Sequence, residues 1–313
     1  MAFTAFRGMG AWAQLIMAAF IVLVCFLLLF ILSIPAALPF IGFSELMDAL
    51  TSGDPDNPLT IAVLKYFQVV QSIGLFVIPP VLIGWLFSGN IARYLQLDRK
   101  VEVMALLLAI GAVLIINPFI SYVGELNSKM SLPGFLSGLE EWMRKMEDQA
   151  AGLIDRFMEV KTLGGLLFNL FMIAVIPAVG EEFLFRGVFQ KIFTQMTRNY
   201  HWGIWISAFL FSALHMQFYG FVPRMLLGAL FGYMLVYSGS LWLPIACHFV
   251  NNALGVLYLY FEKQGVEEVG RLSEIGEKTI YMVPLAAASL ILTIWLILAL
   301  RKRSGRLKGE IDL

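Results

Sequence analysis

Residues 12–35 carry no charged side chain, and runs of similar apolarity recur along the rest of the chain. A segment of that length matches the roughly 20 residues a helix needs to cross about 30 Å of hydrocarbon. Inside hydrocarbon every backbone N–H and C=O must pair within the structure, which leaves helices or a closed barrel. Eight runs qualify by length: about 12–35, 60–87, 101–123, 162–180, 202–219, 222–238, 240–260 and 281–300. The expected fold class is all-α, a polytopic transmembrane helical bundle of about eight spans. The composition agrees, with 59% hydrophobic and 14% charged residues among 313; soluble domains have about 25% charged residues.

The 22 basic and 22 acidic side chains cancel, so no global basic footprint points to nucleic acid. Cys25 and Cys247 lie inside apolar runs and read as small core residues, too few for a disulfide framework or a cysteine metal site. The first run is too long and too weakly flanked for a cleaved signal peptide, so it is expected to stay as a helix. Lys and Arg follow the second run (Arg93, Arg99, Lys100), the fourth (Arg186, Lys191, Arg198) and the eighth (Arg301, Lys302, Arg303, Arg306, Lys308), whereas loops 43–59 and 261–280 are acidic. Cytoplasmic loops hold the excess of positive charge. Both termini are therefore expected in the cytoplasm, in an integral multi-pass protein of a bacterial cytoplasmic membrane.

Segment 137–161 is crowded with charge, yet Leu139, Trp142, Met143, Met146, Ala150, Leu153, Ile154 and Phe157 recur at helical spacing. It reads as an amphipathic helix on the outer membrane surface or, equally, as a loop helix packed on the bundle. The expected organisation is 1–136 as N-terminal spans, 137–161 as this segment, 162–260 as a core of further spans, and 261–313 as a loop, a last span and a basic tail.

Ionisable residues within spans are costly and point to function. Glu181, Glu182 and Arg186 continue the fourth run, and two of the three histidines, His215 and His248, lie in the fifth and seventh. Glu182 and Arg186 can pair at i,i+4, while Glu181 points about 100° away. The pair is expected at the edge of the bundle, and His201 reads as a bland interfacial residue. Two histidines and an unpaired glutamate from three helices suggest one polar site.

The set Glu181-Glu182-x-x-x-Arg186, Phe211-x-x-x-His215 and His248-x-x-x-Asn252 resembles the three motifs of the CPBP family of intramembrane proteases. That family includes the CAAX prenyl endopeptidases of the Rce1 type and the bacterial Abi proteins linked to bacteriocin self-immunity. The resemblance covers about 162–260. It implies a bundle with a conical cavity open to the cytoplasmic leaflet, in which Glu181 activates a water and His215 orients it. His248 and Asn252 would donate to the oxyanion, and Glu182 and Arg186 would support the motif helix, or Arg186 would meet a substrate carboxylate. The implied activity is an intramembrane endopeptidase acting on membrane-associated, CAAX-like or lipid-modified peptides or proteins, with the bilayer as its surroundings and no nucleic acid partner. The cofactor is none or one divalent metal, zinc held by Glu181, His215 and His248, with the metal-free form preferred. Alternatives are a non-catalytic immunity or binding protein of the same fold and a proton-coupled transporter, the latter suggested by Pro79, Pro80, Pro223 and Pro244. A serine mechanism through Ser240 and His248 has little support. Substrate and oligomeric state are left open.

Overall fold

The computed structural model describes residues 6–52, 57–266 and 279–307, and the described elements are helices and turns. Ten helices matter here: α1 (Ala11–Ala37), α2 (Phe43–Ser52), α3 (Pro58–Ser88), α4 (Val103–Ser128), α5 (Ser137–Phe157), α6 (Leu163–Thr197), α7 (Tyr200–Ala213), α8 (Phe221–Ser238), α9 (Trp242–Lys263) and α10 (Thr279–Leu307). Among the described residues, seven helices are long and apolar enough to cross a membrane: α1, α3, α4, α6, α8, α9 and the 282–303 part of α10. The protein is thus an integral, multi-pass helical bundle.

The eighth expected span, 202–219, is the 14-residue helix α7, about 21 Å long. It stops short because the chain turns inside the bundle: Met216 takes a left-handed φ of +55°, and Phe218–Gly220 forms a single 3-10 turn before α8 begins. Irregular backbone at that depth persists only where protein groups satisfy it, and here they do. Asn127 of α4 donates to the Phe218 carbonyl at 3.1 Å and accepts from the Val222 amide at 2.7 Å. Glu147 of α5 accepts from the Tyr219 amide at 3.0 Å, and the Ser212 hydroxyl donates to the Phe221 carbonyl at 2.7 Å.

The 43–59 stretch, expected as a loop, contains α2, which buries Leu46 and Ala49. Of the acidic loop 261–280, residues 267–278 lie outside the described residues, as do Asp54, Asp56 and the tail beyond Leu307. Within 137–161, Ser137–Phe157 is a helix that contacts the bundle at both ends. The N-terminal half of α5 sets Trp142 against Phe218, ring centroids 5.3 Å apart, and Arg144 over the Tyr219 ring at 4.5 Å. Its C-terminus is held where Lys65 of α3 and Asn169 of α6 both donate to the Phe157 carbonyl, at 2.9 and 2.7 Å.

Helix α6 is the axis. Every residue from Glu182 to Phe189 is buried, the condition of a helix surrounded on all sides. Phe183, Phe185, Val188 and Phe189 pack into one core with Ala18 and Ile21 of α1 and Ile83 and Phe87 of α3. Gly180 permits this closeness, since a Cβ there would stand 2.8 Å from Phe76 Cβ and 3.2 Å from the Phe76 backbone. A second core joins α4, α8, α9 and α10, with Cys247 fully buried among Ala109, Ala112 and Val113. Cys25 is free and half-buried. Both cysteines pack as the sequence suggests.

Candidate active site

Helix α6 is not a uniform α-helix. It widens into π-turns at Leu170–Val175 and Glu182–Phe189, with a short α-helical piece at Ile176–Glu181 between them. Such bulges re-aim side chains and cluster at functional sites. Pro177 lacks an N–H, so the Ile173 carbonyl four residues earlier loses its α-helical donor. Asn252 Nδ2 of α9 donates to that carbonyl at 3.2 Å. In the second π-turn the Ser207 hydroxyl of α7 donates to the Phe185 carbonyl at 2.8 Å. Neighbouring helices thus supply donors to both widened turns, and Glu181 is presented between them.

Glu181 and Glu182 diverge as their adjacency requires. Glu182 is fully buried and its Oε1 accepts from Arg186 Nη1 at 2.7 Å and from His248 Nδ1 at 2.8 Å. Arg186 is 1% exposed; its other terminal nitrogen donates to the Gly228 carbonyl at 2.9 Å, and its guanidinium lies over the rings of Phe211 and Phe231 at 4.8 and 5.6 Å. The expectation that this pair sits at the bundle edge is corrected: it lies at the centre, because α6 is enclosed on every side there. Burial to 1% exposure beneath the Phe211 and Phe231 rings also closes Arg186 off from the cavity.

Glu181 faces the other way, into a cavity of about 300 Å³. Its Oε2 is 3.7 Å from His248 Nε2, and its Oε1 is 4.0 Å from His215 Nε2. His215 lies just past the end of α7 rather than inside a span, and its Nδ1 meets the Phe211 carbonyl at 2.7 Å. A carbonyl only accepts, so Nδ1 carries a proton, and Nε2 is the atom that His215 turns toward Glu181. The His248 ring stacks on Phe231 with centroids 5.2 Å apart. With its Nδ1 committed to Glu182, His248 also directs Nε2 at Glu181. Three groups from α6, the α7–α8 turn and α9 therefore converge. Asn252, the last residue of the motifs, engages the Ile173 carbonyl.

His201 bonds the Tyr233 hydroxyl through Nδ1 at 2.8 Å and is exposed near the start of α7. The Ser240 hydroxyl donates to the Arg99 carbonyl at 2.6 Å. Residues not singled out in the sequence also shape the cavity. Gln68 and Gln71 of α3 and Gln217 line it. Arg224 donates to Gln217 Oε1 at 2.7 Å and lies in the field of both Glu147 and Glu181. A glutamine in an otherwise apolar run was the available signal. Phe185 lines the cavity, while Phe183 and Phe189 belong to the core and Phe218 packs on Trp142.

Zinc ligands sit about 2.0–2.2 Å from the metal, which brings tetrahedral donors to about 3.3 Å from one another. Among the described residues no three His, Cys, Asp or Glu side chains are spaced to hold a metal ion. The separations of 3.7 and 4.0 Å exceed a direct hydrogen bond.

A buried carboxylate facing two imidazoles inside a membrane bundle is an arrangement capable of general acid–base chemistry. Residues 163–254 match the family described as type II CAAX prenyl endopeptidase Rce1-like. That segment holds Glu181, Glu182, Arg186, His215, His248 and Asn252, and the match agrees with the resemblance of these motifs to the CPBP/CAAX proteases. The chain is 29% identical over 98 residues to the uncharacterized protein YpbD of Bacillus subtilis (strain 168), covering 30% of this chain and 47% of that protein. It is 29% identical over 105 residues to an uncharacterized 24.3 kDa protein of Escherichia coli, covering 31% of this chain and 47% of that one. The chain spans about half the length of these curated relatives. No solved structure matches.

Proposed function

We propose that the protein is an intramembrane endopeptidase that hydrolyses peptide bonds of membrane-associated peptides or proteins with a water activated by Glu181. The observation that carries this reading is the convergence of the Nε2 atoms of His215 and His248 on Glu181, which together with His215 lines a partly polar cavity. Glu181 takes a proton from the water as the water oxygen attacks the scissile carbonyl carbon. The His215 Nε2 lone pair accepts the water's second hydrogen and fixes its direction. His248, oriented by Glu182, faces the oxyanion, and protonated on both nitrogens it donates there from Nε2. The proton held by Glu181 then passes to the leaving nitrogen as the C–N bond breaks, giving a carboxylic acid and an amine. General acid–base catalysis of this kind contributes about 10²–10⁴-fold. Asn252, as a positioning residue, holds the wide turn of α6 that presents Glu181.

The reading is tested with the purified protein in proteoliposomes, supplied with membrane peptides from cells that lack it, in ¹⁸O-labelled water. New C-termini carrying the label support hydrolysis. Peptides left uncut by folded protein across the whole preparation contradict it.

A further inference from the structure

A second groove, of about 310 Å³, runs between α4, α7, α8 and α10 and shares no lining residue with the cavity at Glu181. Its walls are apolar: Ile116 of α4, Trp205 of α7, Leu226 and Leu230 of α8, and Ile294 and Leu298 of α10. Ile294 and Leu298 are 50% and 53% exposed and lie in the membrane-crossing part of α10, so the groove opens to lipid. Along α8 it extends from Leu226 to Tyr237, a rise of about 16 Å along the helix axis. That is about half of a hydrocarbon core of roughly 30 Å, the depth of one leaflet.

One end of the groove is polar. Tyr233 and Tyr237 line it there, with their ring centroids 5.8 Å apart, and the Tyr233 hydroxyl meets His201 Nδ1 at 2.8 Å. Arg301 stands one turn beyond Leu298 on the same side of α10, with its guanidinium 5.6 Å from the centre of the Tyr237 ring. Arg303 is paired with Glu102, whereas among the described residues no carboxylate pairs with Arg301. At His201 begins a polar hollow of about 430 Å³, lined by Tyr200 and His201 together with Thr194, Gln195, Arg198 and Asn199. An apolar slot one leaflet deep thus ends at phenol hydroxyls and two arginines, the residue types that meet lipid headgroups at a membrane interface.

We infer that this groove is a binding site for an anionic glycerophospholipid of the surrounding bilayer. One acyl chain lies along α8 from Tyr237 toward Leu226. The phosphodiester accepts hydrogen bonds from Arg301 and from the Tyr237 hydroxyl, and the rest of the headgroup turns into the hollow at Arg198. A guanidinium suits this role because its planar N–H fork matches two phosphate oxygens. Charge sets the selectivity: a zwitterionic lipid would bring its own ammonium group against Arg198, and an uncharged polyol headgroup would not. The inference does not depend on the peptidase reading.

The test uses the purified full chain, delipidated in detergent and titrated with phosphatidylglycerol or phosphatidylcholine of identical acyl chains. Bound lipid is counted by native mass spectrometry. Phosphatidylglycerol is expected to bind at least about ten-fold tighter, the size of one charge-assisted hydrogen bond. Arg301→Gln should remove that preference. Lys302→Gln deletes the same charge from an exposed neighbour about 100° around the helix, and should keep it. Ile294→Trp fills the groove from its exposed side and should weaken both lipids, and glycerol 3-phosphate, a headgroup without chains, should not compete. Equal affinity for the two lipids in folded wild-type protein overturns the inference. An equal loss in Arg301→Gln and Lys302→Gln also overturns it, since that marks diffuse attraction to a basic helix end. Unchanged binding in Ile294→Trp, or displacement by glycerol 3-phosphate, would contradict an acyl chain in the groove and overturns it as well.

Discussion

The Glu182 carboxylate oxygen that accepts from His248 Nδ1 at 2.8 Å is the same oxygen that accepts from Arg186 at 2.7 Å. One atom thus ties α9 to α6 and fixes which face of the His248 imidazole meets Glu181. The second carboxylate of the pair is the support on which the geometry of the first depends.

Removing one partner of a buried ion pair leaves an uncompensated charge, at a cost of about 3–5 kcal/mol. Arg186→Ala and Glu182→Gln are therefore expected to lower the unfolding temperature in detergent and to reduce the folded yield. Stability equal to wild type in both variants would show that the pair contributes nothing net.

Asn252 and Pro177 should act as a coupled pair. Asn252→Ala is expected to lower activity because the Ile173 carbonyl loses its donor. In a Pro177→Ala background, where residue 177 regains an N–H for that carbonyl, the same substitution should cost less. The difference is measured as a double-mutant cycle on kcat/KM. Additive effects would place Asn252 on the substrate instead.

Glu140 accepts from the Leu132 amide at 2.8 Å and from Arg144 at 2.6 Å, and these bonds hold its carboxyl below its ordinary value, which is about 4.3. A depressed folded-state value means that the bonds stabilise α5 fully above the ordinary carboxylate range. The contribution is lost as pH falls through the depressed value. Amide protection factors at 132–140, corrected for the pH dependence of intrinsic exchange, should hence hold at pH 5 and fall only in stronger acid. A fall already between pH 6 and 5 would contradict this anchoring.

The apolar runs made the long helices legible, because length and hydrophobicity alone decide them. What they missed came from tertiary context. The run 202–219 is apolar enough to suggest a span, yet Asn127 and Glu147 satisfy a turn at 214–220, and neither residue announces itself in sequence. In 137–161 the helical period was visible, but its partner was not: Leu153 and Ile154 face a cavity built by residues far away in the chain. The i,i+4 spacing of Glu182 and Arg186 predicted their pairing, whereas their central position depends on α1, α3 and α7 closing around α6. Asn252 was readable as a motif residue, and its bond to Ile173 becomes intelligible only through Pro177.

Exhaustive chelation is expected to leave activity unchanged, since no step in the proposed reaction runs through a metal. Elemental analysis of active protein provides the check. Zinc at one equivalent, lost together with activity and restored with it, would contradict the water–glutamate mechanism.

The central claim is that Glu181 activates the hydrolytic water. Its most direct test compares membrane and secreted peptides, by mass spectrometry, from cells with wild-type protein and cells with Glu181→Gln at equal folded level. The near-isosteric change should leave stability close to wild type and lower turnover by about 10²–10⁴-fold, so that uncut precursors accumulate. Unchanged cleavage products in the Glu181→Gln cells would remove Glu181 from the chemistry.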